Sequence, residues 1–404
     1  MRVFMINSFF SVGGPPRIVK GIYDVLKENN DLCILAAARE KIIDSMHTTR
    51  IGTKITAYRC AILARIFDSE GFNAKKTTEQ LIKQIKEYNP DIIHLHNLHG
   101  YYINVEILFD FLKKYKKPVI WTLHDCWSVT GHCVHFDYIG CDKWKKGCNK
   151  CIQKKEYPTS VFFDNSAENY KRKKAAFTGV QNMTLVPVSK WLEGIIKKSY
   201  LSEYPTNVIY NGLDLKHFKP TANTIKSAYG IKNKIMILGV AQNWSKKKGF
   251  NDFIKLSSLL NMDKYAIVLV GVPKSLQKKV PHNIICVDQT NSTTELAQFY
   301  SAADLFLNLS YEETFGLVTA EALACGTPAI VYNRTAVPEI IDESCGIVVE
   351  AGNIKLLKKI ITDEKWRAIE SNNCVERAKQ YEDKIQYCKY IKLYKKILEE
   401  GETL

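Results

Sequence analysis

Residues 305–333 read LFLNLSYEETFGLVTAEALACGTPAIVYN. LFLNLS is an apolar run of strand length, and PAIVYN is a second one. Between them, YEET forms a polar loop and FGLVTAEALACG reads as a helix closed by glycine. The stretch is therefore one β-α-β unit. Its helix starts near Phe315 or Gly316, where the first amides have no internal partner and Gly316 lets another group approach the backbone. Such a helix start favours anions. Two carboxylates nevertheless flank it, Glu313 in the loop and Glu321 more than one turn inside the helix. Ionised carboxylates accept hydrogen bonds, so they suit hydroxyl groups. A nucleotide-sugar meets that order, with its diphosphate on the amides and an acid at each sugar-bearing end. An ordinary helix with acidic residues near its start has the same spacing.

The same alternation extends in both directions. RVFMINSF runs into GGPPRIVKGIYDVLKENN, with Val19, Ile22, Val25 and Leu26 at helical spacing. LCILAA, PDIIHLHN, PVIWTLHD and MTLVPVS follow as strands, with TEQLIKQIKEY, VEILFDFLKKY and KWLEGIIKKS as helices. VIYNGLDLKHFKP then closes on Pro220 as a domain boundary. KIMILGVA, YAIVLVGV and NIICVD restart the strands, with GFNDFIKLSSLL and TELAQFYSAA as helices. Two doubly wound α/β halves thus stand in tandem, their strand ends predicted to face a shared cleft. EDKIQYCKYIKLYKKILEE closes the chain as a long amphipathic helix.

The chain has 404 residues, enough for two domains, and at 46% hydrophobic and 25% charged it is globular rather than disordered. The first strand is broken by Asn7 and Ser8 and lacks a small-residue cleavage site, so it reads as a strand and not as a signal peptide. No apolar run reaches the ~18 residues of a membrane span. The expected location is cytoplasmic, with peripheral contact at the inner membrane face. Net charge is +15, and it is uneven: residues 1–200 hold 31 Lys and Arg against 19 acids, the rest 26 against 23. A basic front half fits an anionic membrane surface or a phosphate-bearing substrate, and no nucleic-acid motif accompanies it.

Of 12 cysteines, Cys133, Cys141, Cys148 and Cys151 fall in HCVHFDYIGCDKWKKGCNKC. The closing C-x-x-C is half of a zinc pattern, and the other spacings are looser. A structural zinc clip and a packed thiol cluster both fit. Four cysteines would leave no open position for a catalytic metal. His94, His96 and His99 in HLHNLHG read as cleft lining rather than as metal ligands, and His124 and Asp125 end another strand, with Asp125 placed to orient His124.

EETFGLVTAEALACGTPAI resembles the E-x7-E region of retaining glycosyltransferases of family 4. The likeness extends to GG near the start, TLHD, NGLD and KKG, and so covers essentially the whole chain. It implies the GT-B fold: an N-terminal acceptor-side domain (1–213, with a cysteine-rich insert at 126–158), a C-terminal donor domain (214–384), and a final helix (385–404) packing back on the first. It implies that Glu313 contacts the donor sugar and Glu321 the ribose. Amides around Phe315, Gly316, Leu317 and Val318 would bind the diphosphate, and Gly13 and Gly14 would lie beneath it. His124 would contact the sugar at the reaction centre. Lys248 matches the family's phosphate-binding Lys, but Asn243 stands where an Arg is usual, which removes a charge and a bidentate donor; Lys246, Lys247 or Arg17 would have to substitute. No D-x-D triplet occurs, so catalysis is expected to need no metal or other cofactor. The cysteine-rich insert resembles the subset found in colanic-acid, exopolysaccharide and O-antigen pathways. That implies a UDP-sugar donor, a saccharide acceptor carried on a lipid, transfer with retention, and no nucleic-acid partner. A GT-B-type sugar-nucleotide epimerase and a non-catalytic basic membrane- or nucleic-acid-binding protein are the alternatives.

Overall fold

The computed structural model describes residues 1–9, 14–38 and 47–402. The chain divides into two compact units, residues 1–210 with 386–404, and residues 211–385.

In the first unit the order is β1 (Arg2–Asn7), α1 (Gly14–Glu28), β2 (Leu32–Ala37), β3 (Thr48–Arg50), α2 (Lys54–Phe67), α3 (Lys75–Tyr88), β4 (Ile92–Leu95), α4 (Val105–Tyr115), β5 (Val119–Leu123), α5 (Ser166–Phe177), β6 (Met183–Pro187) and α6 (Lys190–Ile196). All pairings are parallel, and the strands lie in the order β3-β2-β1-β4-β5-β6. The register Val3–Ile92 and Ile93–Val119 runs through β1, β4 and β5, and these strands are buried on both faces. The helix expected from Val19, Ile22, Val25 and Leu26 is α1, and all four side chains are buried. Pro15 and Pro16 sit in its first turn, where a missing amide costs little. β3 and α2 have no counterpart in the sequence reading: β3 is only three residues long, and α2 breaks the usual pattern of a buried apolar face.

The second unit runs α7 (Ile225–Ala228), β7 (Ile235–Val240), α8 (Phe250–Ser257), β8 (Tyr265–Val270), α9 (Lys274–Gln277), β9 (Ile284–Val287), α10 (Thr293–Ala302), β10 (Leu305–Asn308), α11 (Leu317–Ala324), β11 (Ala329–Tyr332), β12 (Gly346–Val349), α12 (Ile354–Asp363) and α13 (Ser371–Lys379). Its sheet, β12-β11-β10-β7-β8-β9, is also wholly parallel and repeats the first sheet's winding. Each sheet reverses direction at one point, between β1 and β4 and between β7 and β10. Ligands of open α/β sheets bind outside the strands' carboxyl ends at such points. The opening β-α-β stretch is β10, α11 and β11, beside the second switch.

The last helix, α14 (Asp383–Glu402), belongs mostly to the first unit. Tyr387, Tyr390, Ile391, Leu393 and Tyr394 join the core formed by β1, α1 and β2. Gly21 of α1 lies so close to the Tyr387 ring that a Cβ there would overlap it.

Candidate active site

The loops after β7 and β10 are laced together. Lys246–Lys248 form a single 3-10 turn, and Gly249 then starts α8 in the left-handed conformation, φ 73°. A Cβ on Gly249 would stand 2.3 Å from the Leu309 carbonyl oxygen, so only glycine lets the two loops meet. The Lys247 carbonyl accepts from the Tyr311 amide (2.8 Å), and the Lys247 ammonium pairs with the buried Glu312 (3.2 Å). Lys248 Nζ donates to Glu313 Oε1 at 2.6 Å and to the Glu312 carbonyl at 3.2 Å. Glu313 is fixed from its other side, where its amide donates to Thr335 Oγ1 (3.0 Å). The sequence thus brings Lys248 and Glu313, 65 residues apart, into one ion pair.

α11 begins on Gly316 at φ 103°, and no side chain caps it. Phe315 before it is buried, its ring edge against Tyr381. The Leu317 and Val318 amides lie in the first turn, where no intrahelical carbonyl is available. Thr319 closes that turn through the Gly316 carbonyl (2.9 Å). Glu321 is nearly buried on α11, and its Oε2 accepts from Tyr300 OH of α10 at 2.8 Å. A glycine-started helix with an adjoining Lys–Glu pair provides backbone donors, one cation and one carboxylate at the switch point of this sheet. Asn243 is exposed on the loop after β7, Lys246 is exposed, and Lys247 is occupied by Glu312. Gly13 lies outside the described residues; Gly14 is the first residue of α1.

In the first unit, His124 follows β5 directly and lies beside β4. Its Nε2 is 3.1 Å from His96 Nδ1, and the two rings stack at 5.4 Å. Asp125 does not orient His124. Its Oδ2 pairs with His99 Nε2 (2.7 Å) and its Oδ1 accepts from the Trp127 amide (2.8 Å), because the chain turns immediately after His124. Burial by itself would raise the Asp125 carboxyl, but the His99 ring and these hydrogen bonds bring it down to about 2. Burial holds His124 neutral, at about 4, with Asp125 opposing the shift. His96 is driven well below its ordinary value for the same reason, and His94 to about 3.

His94 is a core residue and does not line the cleft edge. Tyr394 OH lies 2.6 Å from its Nδ1, and its Nε2 is 2.8 Å from Thr122 Oγ1. Thr122 donates in turn to Tyr390 OH (3.2 Å), so its oxygen is left to accept from His94. The final helix therefore fixes the His94 tautomer, a contact that no local sequence pattern announces. His96, His99, His124, Asp125 and Ser128 line a cavity of about 10 Å³, the size of one water. A much larger cavity, about 560 Å³, is lined by Asp91, Pro118 and Asn182 at the amino ends of β4, β5 and β6, the end opposite to His124.

The insert after β5 carries the cysteine cluster. Cys133, Cys141, Cys148 and Cys151 lie near one another in it, and among the described residues no three His, Cys, Asp or Glu side chains are grouped to hold a metal. The thiols are free, and Cys133 and Cys151 hydrogen-bond to each other, which raises the first and lowers the second. The Gly131 amide donates to Cys148 Sγ at 3.2 Å. Beneath them, Lys173 is buried, donating to the Trp127 and Thr130 carbonyls (2.9 and 3.1 Å), with its ammonium 3.4 Å from the Trp127 ring centre. Burial lowers it to about 7, against the opposing pull of the nearby Cys148 and Asp68.

The structure thus has two parallel doubly wound sheets, with a bare helix start beside the switch point of the second. Residues 222–381 match the family model described as glycosyl transferases group 1. Among its relatives is the putative colanic acid biosynthesis glycosyl transferase WcaC of Escherichia coli K12, 25% identical over 332 residues, covering 80% of this chain and 78% of the relative. Sucrose-phosphate synthase from Thermosynechococcus elongatus superimposes with a TM-score of 0.73 at 18% identity, over 98% of both chains. Anabaena HepE, solved in complex with UDP, does so at 0.66 and 14% identity, over all of both chains. These likenesses give the fold as GT-B, two Rossmann-like domains.

Proposed function

We propose that this protein transfers a hexose-type sugar from a nucleoside diphosphate donor, UDP-linked by preference, to a saccharide hydroxyl, with retention at the anomeric carbon. The observation that carries the reading is the uncapped, glycine-started α11 beside the Lys248–Glu313 pair. The UDP held by HepE supports a uridine donor, and the name of the E. coli relative supports a role in surface polysaccharide synthesis. A lipid-linked saccharide is the acceptor we assign.

In the reaction, the bond from the anomeric carbon to the β-phosphate oxygen breaks as the bond to the acceptor oxygen forms on the same face. The acceptor's proton passes to the departing phosphate oxygen. Stabilising negative charge on that diphosphate is the largest available contribution. Lys248 and the amides of Phe315, Gly316, Leu317 and Val318 are assigned that task. Glu313 holds the sugar hydroxyls and Glu321 the ribose, with Tyr300 fixing its carboxylate. Neutral His124 is assigned a hydrogen bond to the sugar. Because fixed donors and Lys248 carry the charge, no catalytic metal is required.

UDP should raise the unfolding temperature, by the equivalent of about 2.7 kcal/mol at one hundred times its dissociation constant. Lys248→Met should lower kcat by on the order of 10²–10³-fold, and Glu313→Ala should nearly abolish transfer with the fold intact. Unchanged turnover in Glu313→Ala rejects the assignment. Brief chelation should leave transfer at its untreated rate; prompt loss restored by a divalent ion overturns the metal-free mechanism.

A further inference from the structure

α2 is built inside out. Its buried residues are the small Ala57, Cys60 and Ala64, packed with Ala74 and Tyr101. Its large apolar residues point outward: Ile55 is 74% exposed and Tyr58 69%, with Ile62, Leu63 and Phe67 also exposed. A helix of a soluble domain normally turns such residues to the core. The apolar surface continues onto residues 161–163. The Val161 and Phe163 amides donate to the Arg65 and Ile66 carbonyls, and Phe163 stacks on Phe67 at 5.7 Å, while Val161 and Phe162 are exposed, Phe162 at 68%. A contiguous exposed patch of this kind marks an interaction surface.

Its charge says what covers it. The fourteen residues of α2 contain Lys54, Arg59 and Arg65 and no acid, and all three cations are exposed. In the preceding loop Lys154 reaches the Phe162 carbonyl (3.2 Å), while Lys155 and Glu156 are both exposed and offset each other. The nearby Asp164 carboxylate is turned into its own loop, accepting from the Cys151 and Ser166 amides, and Asp68 is buried. On α2 the exposed aromatic and aliphatic side chains are interleaved with cations and no acid, which matches the boundary of an anionic bilayer.

We propose that α2 and residues 161–163 form a face that seats this protein on an anionic lipid surface. The face connects to the histidine cluster through Tyr101, which packs with α2 and meets the ring of Tyr157; Tyr157 contacts His99, which pairs with Asp125 next to His124. The proposal deepens the lipid-linked acceptor reading above and rests on it for its purpose, but lipid binding itself requires no turnover.

The test is co-sedimentation of the full chain with vesicles of phosphatidylglycerol and phosphatidylethanolamine, and with phosphatidylcholine alone. Wild type should bind the anionic vesicles and leave the others. I62S/F162S should lower the partition coefficient about tenfold or more, and R59Q/R65Q should lower it and weaken its salt dependence. Both variants should keep the wild-type unfolding temperature and UDP shift. Failure of wild type to bind anionic vesicles, or equal binding by I62S/F162S, overturns the proposal. So does a lipid-free dimer that I62S/F162S dissociates, since the face then belongs to a second copy. Vesicle binding without any UDP shift upholds the lipid face and overturns the donor reading instead.

Discussion

His124 meets another histidine where the neighbouring acid was expected. Both rings are buried, and a charge on either would lack a compensating anion within its hydrogen-bond reach, so both are held neutral. With His94 they form three rings that take up protons more readily in the unfolded chain, near pH 6.5, than in the fold, where His124 and His94 titrate near about 4 and about 3. The sign follows. Their contribution to stability is complete above pH about 6.5 and is lost as pH falls toward about 4, by about 1.4 kcal/mol per pH unit for each ring. Thermal unfolding followed across that window should show the drop, and His96→Gln should flatten it. An unaltered slope in the variant would show that the His96 ring is not held neutral in the fold. The residue types at this site were legible in TLHD and HLHNLHG. Their partners were not, because a hydrogen bond between β4 and β5 depends on register, and the turn after His124 sends Asp125 to His99.

At the scale of elements, the insert between β5 and α5 is held from below by α5. Lys173 closes two carbonyls of the turn that starts the insert and sits on the Trp127 ring. Lys173→Met keeps the length and removes both hydrogen bonds, leaving the Thr130 carbonyl unpaired at roughly 1–3 kcal/mol and the Trp127 carbonyl with only the long Thr130 amide contact (3.4 Å). Urea unfolding should register that loss, and the near-ultraviolet dichroism of the buried tryptophans should change. A variant as stable as wild type would mean that the Thr130 carbonyl finds another donor. The basic run NYKRKKAAF, residues 169–177, lies in α5. The structure separates it: Lys173 is buried, and Arg172 forms a two-bond pair with Glu106 and covers the Phe72 ring. Helical period alone could not show this, since a basic residue on an inner face gives no apolar signal. α2 escaped notice for the complementary reason, because its large apolar residues face outward.

At the scale of the whole molecule, the chain's last helix completes a core begun by its first strand. Removing residues 386–404 would uncover Val3, Ile22 and Leu35 and leave His94 and Thr122 without Tyr394 and Tyr390. The first unit should then lose cooperative folding, while residues 211–385 keep their own core. Limited proteolysis with mass spectrometry should find early cleavage within residues 1–210 and late cleavage beyond. Equal resistance of both units would show that the final helix is dispensable.

What the sequence by itself determined is the alternation of strands and helices, the restart after Pro220, and the glycine-started helix flanked by Glu313 and Glu321. Each is a local matter of period, length and backbone freedom, fixed within a few residues. Only the tertiary structure decided that Lys248 pairs with Glu313, that Tyr300 holds Glu321, that His96 rather than Asp125 faces His124, and that α2 turns its large side chains outward. Those facts depend on which strands lie side by side and which helix face meets the sheet, and packing settles such choices across distances in sequence that no local pattern spans.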